Sequence, residues 1–246
     1  MRKTYRWICK LRLLAVILSL NSCGTKNLFD CDGGYARSKC VQRTKEEDAR
    51  IAMDNGDLDT AVTLLSELVA EDPTNYKRYP LLAAAYAGKS GFDILNIVTA
   101  NFGGSNSLIQ TMTDFLPTPM TRGSLYDQSL TDMDSSVKTL TAIPAEYRDS
   151  TSSDKYATSA VLQLTLYQAA YGVMLLNKFT YSTTAYDPSQ LSNMTAADAA
   201  AILAAFAGAA GSTGAGSSAT AAIAAIQAMP GATDQEKIAA WSQAAR

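Results

Sequence analysis

Apolar residues recur at helical spacing along residues 45–93, the stretch on which the predicted fold depends most. The i, i+3, i+4, i+7, i+8 stripe of an amphipathic helix is formed by Ala61, Leu64, Leu65, Leu68 and Val69. Before this helix, Gly56 suits the left-handed residue that ends a helix, and Asp57 is a favourable N-cap for the next one. Pro73 disfavours helical conformation in Asp72, so the second helix is predicted to end there. The pattern therefore predicts an antiparallel pair of helices.

Apolar or alanine-rich runs alternate with Gly, Pro and polar segments through the rest of the chain. Helices are predicted over 124–142, 156–176, 199–209 and 220–229, and a last one after the capping-box spacing of Thr233 and Glu236. Between them we expect an irregular connection over 101–123 with a short helix at 107–115, a polar joint at 146–154 and a flexible Gly/Ser linker at 208–218. In the first of these helices, the buried side is predicted to carry Leu125, Leu130, Met133, Val137 and Leu140.

The segment 156–176 is uncharged and is apolar on nearly all sides. Its length would allow it to span a membrane, but its Thr, Ser and Gln side chains would then need hydrogen-bond partners in lipid. A helix of this kind is more often the buried centre of a bundle, which is the structure we expect. Tyr156, Tyr167 and Tyr171 lie near one face of it, where core packing is expected and a ligand-stacking stripe is the alternative.

The spacing of small and large residues in the first helices resembles a known repeat. In one 34-residue frame, Gly56, Ala61, Leu65 and Pro73 fill the positions of a turn glycine, a small residue, a large apolar residue and a closing proline. In the next frame, Tyr79, Leu82, Ala83 and Tyr86 fill the aromatic, leucine, small and tyrosine positions. These positions resemble the tetratricopeptide repeat over residues 44–102, although the partner helix predicted over 92–102 lacks the small residue and the closing Pro. The alternative is a helical hairpin of another kind with alanine contacts. Either way the predicted fold class is all-α, with antiparallel helical hairpins stacked into a bundle or short solenoid.

In tetratricopeptide proteins the first helices of successive repeats line a concave groove that binds a partner. Carried over to this chain, the resemblance implies a partner-binding surface formed by Arg43, Glu46, Arg50, Met53, Lys77 and Ala84. The alternative is that these residues are an ordinary solvated surface.

The N-terminus is typical of an export signal. Residues 1–22 combine five basic residues with an apolar core that is too short to span a bilayer. They end in Leu20-Asn21-Ser22-Cys23, which resembles the lipobox of bacterial lipoproteins and implies acylation of Cys23 and anchoring in the lipid bilayer. Gly24 follows, which by the enterobacterial sorting rule implies the outer membrane, with the protein facing the periplasm. The alternative is an ordinary signal peptide followed by a chance Cys.

Residues 23–43 are predicted to form a tether between the anchor and the helical domain at 44–246. Cys31 and Cys40 remain after Cys9 leaves with the signal and Cys23 is acylated. Because export places them in an oxidising compartment, and because the spacing suits neither a redox motif nor a zinc site, we predict a local disulfide between them.

Composition removes several classes of function. The 246-residue chain contains no His, the usual general base and metal ligand. After residue 22, 16 basic residues face 23 acidic ones, a net charge of −7 that disfavours nucleic acid as a partner. The Gly-rich run at 208–218 lacks the Lys of a phosphate-binding loop. We therefore expect neither an enzyme nor a metal or cofactor site.

Two functions remain as hypotheses. The first is an outer-membrane lipoprotein whose helical repeats scaffold or bind a protein partner in the envelope. The second arises because the order of lipobox, early helical hairpin and the stretch LLAAAYAGKSGFD at 81–93 resembles the accessory lipoprotein of tripartite (TRAP) solute transporters. That resemblance implies binding to a periplasmic solute receptor or a small ligand.

Overall fold

The computed structural model describes residues 37–92, 112, 115–148, 155–211 and 216–244, with side chains over 44–92, 112, 115–148, 156–211 and 219–244. The chain divides into two units, Met1–Thr44 and Lys45–Arg246. Within the described residues the regular elements are helices, apart from one isolated antiparallel bridge between Tyr181 and Tyr186. The prediction of an all-α fold is confirmed.

The first two helices, α1 (Arg37–Asp54) and α2 (Leu58–Glu71), are joined by a tight turn. Gly56 has φ +76°, in the left-handed region that L side chains rarely adopt. Asp57 Oδ1 accepts a hydrogen bond from the Thr60 N–H at 3.2 Å, and hydrogen bonding from Thr60 lowers the pKa of this carboxyl. The predicted turn glycine and N-cap are therefore confirmed.

A short 3₁₀ turn, Tyr76–Arg78, leads into α3 (Tyr79–Ser90). The helix ends at Gly91, which has φ +89°. A Cβ atom at this position would lie 2.9 Å from the Pro117 ring, so both the backbone conformation and the space favour glycine. The helix predicted over 92–102 lies outside the described residues, except for Phe92.

Helices α1, α2 and α3 share a small hydrophobic core rich in alanine. Its buried members are Ala49, Ala52, Ala61, Leu65, Leu68, Leu82 and Ala85. Alanine side chains allow helix backbones to approach closely, and Ala61 and Leu65 are both fully buried, as predicted.

The connection predicted to be irregular over 101–123 contains a short helix, α4 (Pro119–Arg122), at its described end. Thr118 caps it, since its Oγ1 accepts the Thr121 N–H at 3.2 Å and the Thr121 hydroxyl accepts the Thr118 N–H at 2.9 Å. Pro119 occupies the first turn, where its missing N–H costs nothing. The capping box and the proline together stabilise this one-turn helix. The sequence pattern did not predict it, because prolines are typical of irregular connections as well as of first helical turns. The short helix predicted at 107–115 lies mostly outside the described residues.

A 3₁₀ turn, Gly123–Leu125, precedes α5 (Tyr126–Thr141). Leu130, Met133 and Leu140 are buried as predicted, and Val137 is half-buried. The prediction for Leu125 is wrong, because its side chain is 60% exposed. The tighter 3₁₀ turn changes the angle between successive side chains and moves this residue off the α5 stripe.

Helix α6 (Lys155–Asn177) forms the centre of the main hydrophobic core. Ala160, Tyr167, Ala170, Val173 and Met174 are all at most 2% exposed. By length and composition, α6 is the one helix among the described residues that could cross a membrane. However, 61% of its most apolar stretch is buried inside the protein. Burial at the centre of a helical domain was the structure predicted for this segment.

Three further helices are described after α6: α7 (Ala196–Ala210), α8 (Gly216–Gln227) and α9 (Asp234–Ala244). The predicted capping box is confirmed before α9, since Thr233 Oγ1 accepts the Glu236 N–H and Glu236 accepts the Thr233 N–H. Successive helices pack in order, with α2 on α3, α3 on α5, α5 on α6, α6 on α7, and α7 on α8.

The prediction of a flexible linker over 208–218 extends too far at both ends. Helix α7 extends to Ala210 and α8 begins at Gly216, so helices occupy both ends of the predicted linker. A Cβ atom on Gly208 would collide with the Gln168 side chain, and one on Gly172 would lie 2.7 Å from the Phe206 ring. These glycines therefore allow α6 and α7 to pack closely.

Candidate functional site

Two of the predicted partner-binding residues form a charged row on α1. Arg50 Nη2 lies 2.9 Å from Glu46 Oε1, one helical turn away, and Met53 follows at the next turn. The Arg50 side chain is 58% exposed. The backbone of Arg43 lies in the same helix, but its side chain lies outside the described residues. The α1 face carrying Glu46, Arg50 and Met53 is called the α1 surface below.

The α1 surface lies beside the start of α3. Arg78, at the end of the 3₁₀ turn, is buried, and its Nη1 donates a hydrogen bond to the Leu68 carbonyl at 2.9 Å. Its Nε lies 3.9 Å from Glu46 Oε2. One guanidinium therefore links α1, the C-terminal half of α2 and the entry to α3. The sequence does not distinguish Arg78 from its neighbour Lys77, because both carry the same charge. Only the packing of the helices buries Arg78 and leaves Lys77 exposed.

A second ionic contact joins α1 to α2. Lys45 Nζ lies 3.0 Å from Glu67 Oε2 and 2.7 Å from Glu71 Oε1. Hydrogen bonding to Glu71, and then to Glu67, raises the pKa of the Lys45 ammonium group. These groups are exposed to solvent, so the contact adds little to stability and mainly helps to fix how the two helices align.

Lys77 and Ala84, also predicted for the partner surface, lie elsewhere. Ala84 is half-buried on α3. The Lys77 Nζ atom lies 5.0 Å from the centre of the Tyr156 ring, at the start of α6. This is a cation–π distance, and it makes Lys77 part of a different site.

That site is a cleft of about 240 Å³ between the entry to α3, the residues after α5, which include a 3₁₀ turn (Ala145–Tyr147), and the start of α6. Its lining residues are Thr74, Asn75, Tyr76, Lys77, Ile143, Tyr147, Tyr156, Ala157 and Ala160. The rings of Tyr76 and Tyr147 lie 4.7 Å apart at an angle of 38°. Tyr147 and Tyr156 are 56% and 42% exposed. This set of residues is called the tyrosine cleft below.

Of the three tyrosines of the cleft, only Tyr156 was a candidate from its sequence pattern, which places it with Tyr167 and Tyr171 on one face of α6. In the structure these tyrosines differ in burial, because Tyr156 is exposed and Tyr171 is partly buried against the core. Tyr167 is buried in the core, where its ring packs edge-on against Phe92 at 5.4 Å, and burial raises its pKa. Core packing, the expected role, is confirmed for Tyr167 and does not apply to Tyr156.

The side chains of the predicted anchor and disulfide lie outside the described residues. Cys23 and Cys31 lie outside the described residues. Cys40 lies in α1, and its side chain lies outside them as well. In the part of the chain that the structure describes, no group of three or more His, Cys, Asp or Glu side chains is arranged to hold a metal ion.

Comparisons with known proteins return no relative of this chain. No protein-family model, curated protein or solved structure matches it.

Proposed function

We propose that this chain is a lipid-anchored adaptor of the bacterial envelope, and that its helical domain binds a protein partner through the α1 surface. The observation that carries this proposal is the approach of Glu46 to Arg78. This approach places α1 beside the entry to α3, which supports a binding surface on this side of the domain. On α1 itself, the exposed Arg50 beside the half-buried Glu46 offers a partner charged groups to contact.

A tetratricopeptide-like arrangement of α1, α2 and α3 is part of this proposal. It is supported by the left-handed conformations of Gly56 and Gly91, which end the first and third helices. It is also supported by the complete burial of Ala61 in the core that all three helices share. A small residue at this position is what allows paired helices of such a repeat to approach closely.

The partner surface can be tested in cells with a photo-crosslinking amino acid. We expect a benzophenone side chain in place of Arg50 to give one discrete adduct with a second protein. The matched control is the same substitution at Leu162, which is 52% exposed on α6. Absence of an adduct at Arg50, or an equal pattern at Leu162, would reject the α1 surface as the docking site.

The anchor is proposed to be an acylated Cys23, at the outer membrane and facing the periplasm. We expect Cys23→Ser to abolish incorporation of labelled palmitate and to leave precursor or soluble protein, because serine offers no thiol for the lipid. The measurement is palmitate labelling followed by membrane fractionation. Ser22→Ala keeps a small residue before Cys23 and should label normally. Equal labelling of wild type and Cys23→Ser would show that this chain is not lipidated at Cys23.

A second candidate function is an accessory component of a periplasmic solute transport system. The tyrosine cleft favours it, because a concave site lined by aromatic rings and a few polar groups is typical of small-ligand binding. The identity of the protein crosslinked at Arg50 separates the two candidates. A periplasmic solute receptor supports the transport role, and an assembly factor or another envelope protein supports the adaptor role.

A further inference from the structure

The tyrosine cleft brings together aromatic rings that are far apart in the sequence. Tyr76 comes from the turn before α3, Tyr147 from the 3₁₀ turn after α5, and Tyr156 from the first turn of α6. Tyr147 and Tyr156 leave about half of their surfaces open to solvent. A single exposed apolar residue is common on protein surfaces, whereas a cluster of partly exposed large rings is typical of a ligand-binding or protein-binding site.

The cleft also has a defined charge. Among its described lining residues, Lys77 is the only one that is charged. Its ammonium group lies over the Tyr156 ring, so its position is restrained by the ring as well as by the short turn that carries it. An anionic group that entered the cleft would meet this ammonium, and the Asn75 side chain offers a further polar group in the lining.

The volume limits the size of the ligand. A cavity of about 150 Å³ in another protein holds benzene, so 240 Å³ is enough for one aromatic ring and a short polar substituent. Rings of tyrosine bind other rings in offset-stacked or edge-on geometry, and each such pair adds to the affinity beyond the area that it buries.

We propose that the tyrosine cleft binds a small ligand made of one aromatic ring bearing an anionic group. The ring packs against Tyr147, and the anionic group pairs with the Lys77 ammonium. This site is separate from the α1 surface and does not depend on the adaptor function.

The test uses the full-length chain and two matched probes, phenylacetate and its neutral isostere phenylacetamide. Equilibrium dialysis with labelled phenylacetate gives the dissociation constant, and competition gives the value for phenylacetamide. We expect phenylacetate to bind more tightly by about three- to tenfold, since only it can pair with Lys77. Equal affinities, or no bound phenylacetate at about 1 mM free ligand, would overturn the proposal.

Three variants locate the site. Lys77→Gln should lower phenylacetate affinity to that of phenylacetamide and leave the latter unchanged. Tyr147→Leu should weaken both probes by about two- to tenfold, because the ring contact is lost. Lys237→Gln, a lysine on α9 that lies outside the cleft, should change neither affinity. If Lys237→Gln had the same effect as Lys77→Gln, binding would be nonspecific and the proposal would fail.

Arg50 crosslinking without phenylacetate tests the α1 surface alone, so the two proposals can fail separately.

Discussion

Replacing Phe206 by alanine is expected to lower the free energy of unfolding by about 3–5 kcal/mol, the range for truncating a buried aromatic residue. Phe206 is fully buried on α7. Its ring fills the space above Gly172 of α6, where a Cβ atom would approach within 2.7 Å of it. It also packs edge-on against Trp241 of α9, with ring centres 6.3 Å apart. One side chain therefore joins three helices, and its removal leaves a cavity that a helix backbone cannot fill.

Urea unfolding followed by far-ultraviolet circular dichroism measures this loss. Leu162→Ala is the control, because Leu162 is a large apolar residue on α6 that is mostly exposed. We expect the control to change the unfolding free energy by less than about 0.5 kcal/mol. A loss below about 1 kcal/mol for Phe206→Ala would mean that α6, α7 and α9 do not pack around this ring.

The second large effect is expected in the smaller core. Leu65→Ala should cost about 2–5 kcal/mol, because the side chain is fully buried between α1, α2 and α3 and leaves a cavity. Ala61→Leu should cost about 1–3 kcal/mol, because the methyl group lies where two helices touch and a larger side chain overpacks the contact.

Arg50→Ala is the matched control for these two variants, since its side chain is exposed on the α1 surface. It should change stability by less than about 0.5 kcal/mol. The same urea titration compares all three. If Ala61→Leu were neutral while Arg50→Ala unfolded the domain, the assignment of buried and exposed faces in α1 and α2 would be wrong.

The sequence by itself determined the local features of this fold. Gly56, Asp57, and the pair Thr233 and Glu236 were assigned correctly because caps and turns depend on residues within one helical turn of each other. The burial of Ala61 and Leu65 was also predictable, since helical periodicity places them on one face. Leu125 was misplaced because a 3₁₀ turn interrupts that periodicity, and no residue pattern nearby marks the change.

The candidate sites were decided by the tertiary structure. Glu46 and Arg50 are paired by helical spacing, which the sequence shows, but the approach of Arg78 depends on how α1 and α3 pack. The tyrosine cleft could not be predicted, because Tyr76, Tyr147 and Tyr156 lie on three elements and share no periodicity. Gly208 likewise has the sequence context of a linker, and only the packing of α6 against it shows that its missing side chain allows a close helix contact. Local conformation follows from neighbours in the chain, whereas a site built from several helices depends on their packing, to which residues distant in sequence contribute.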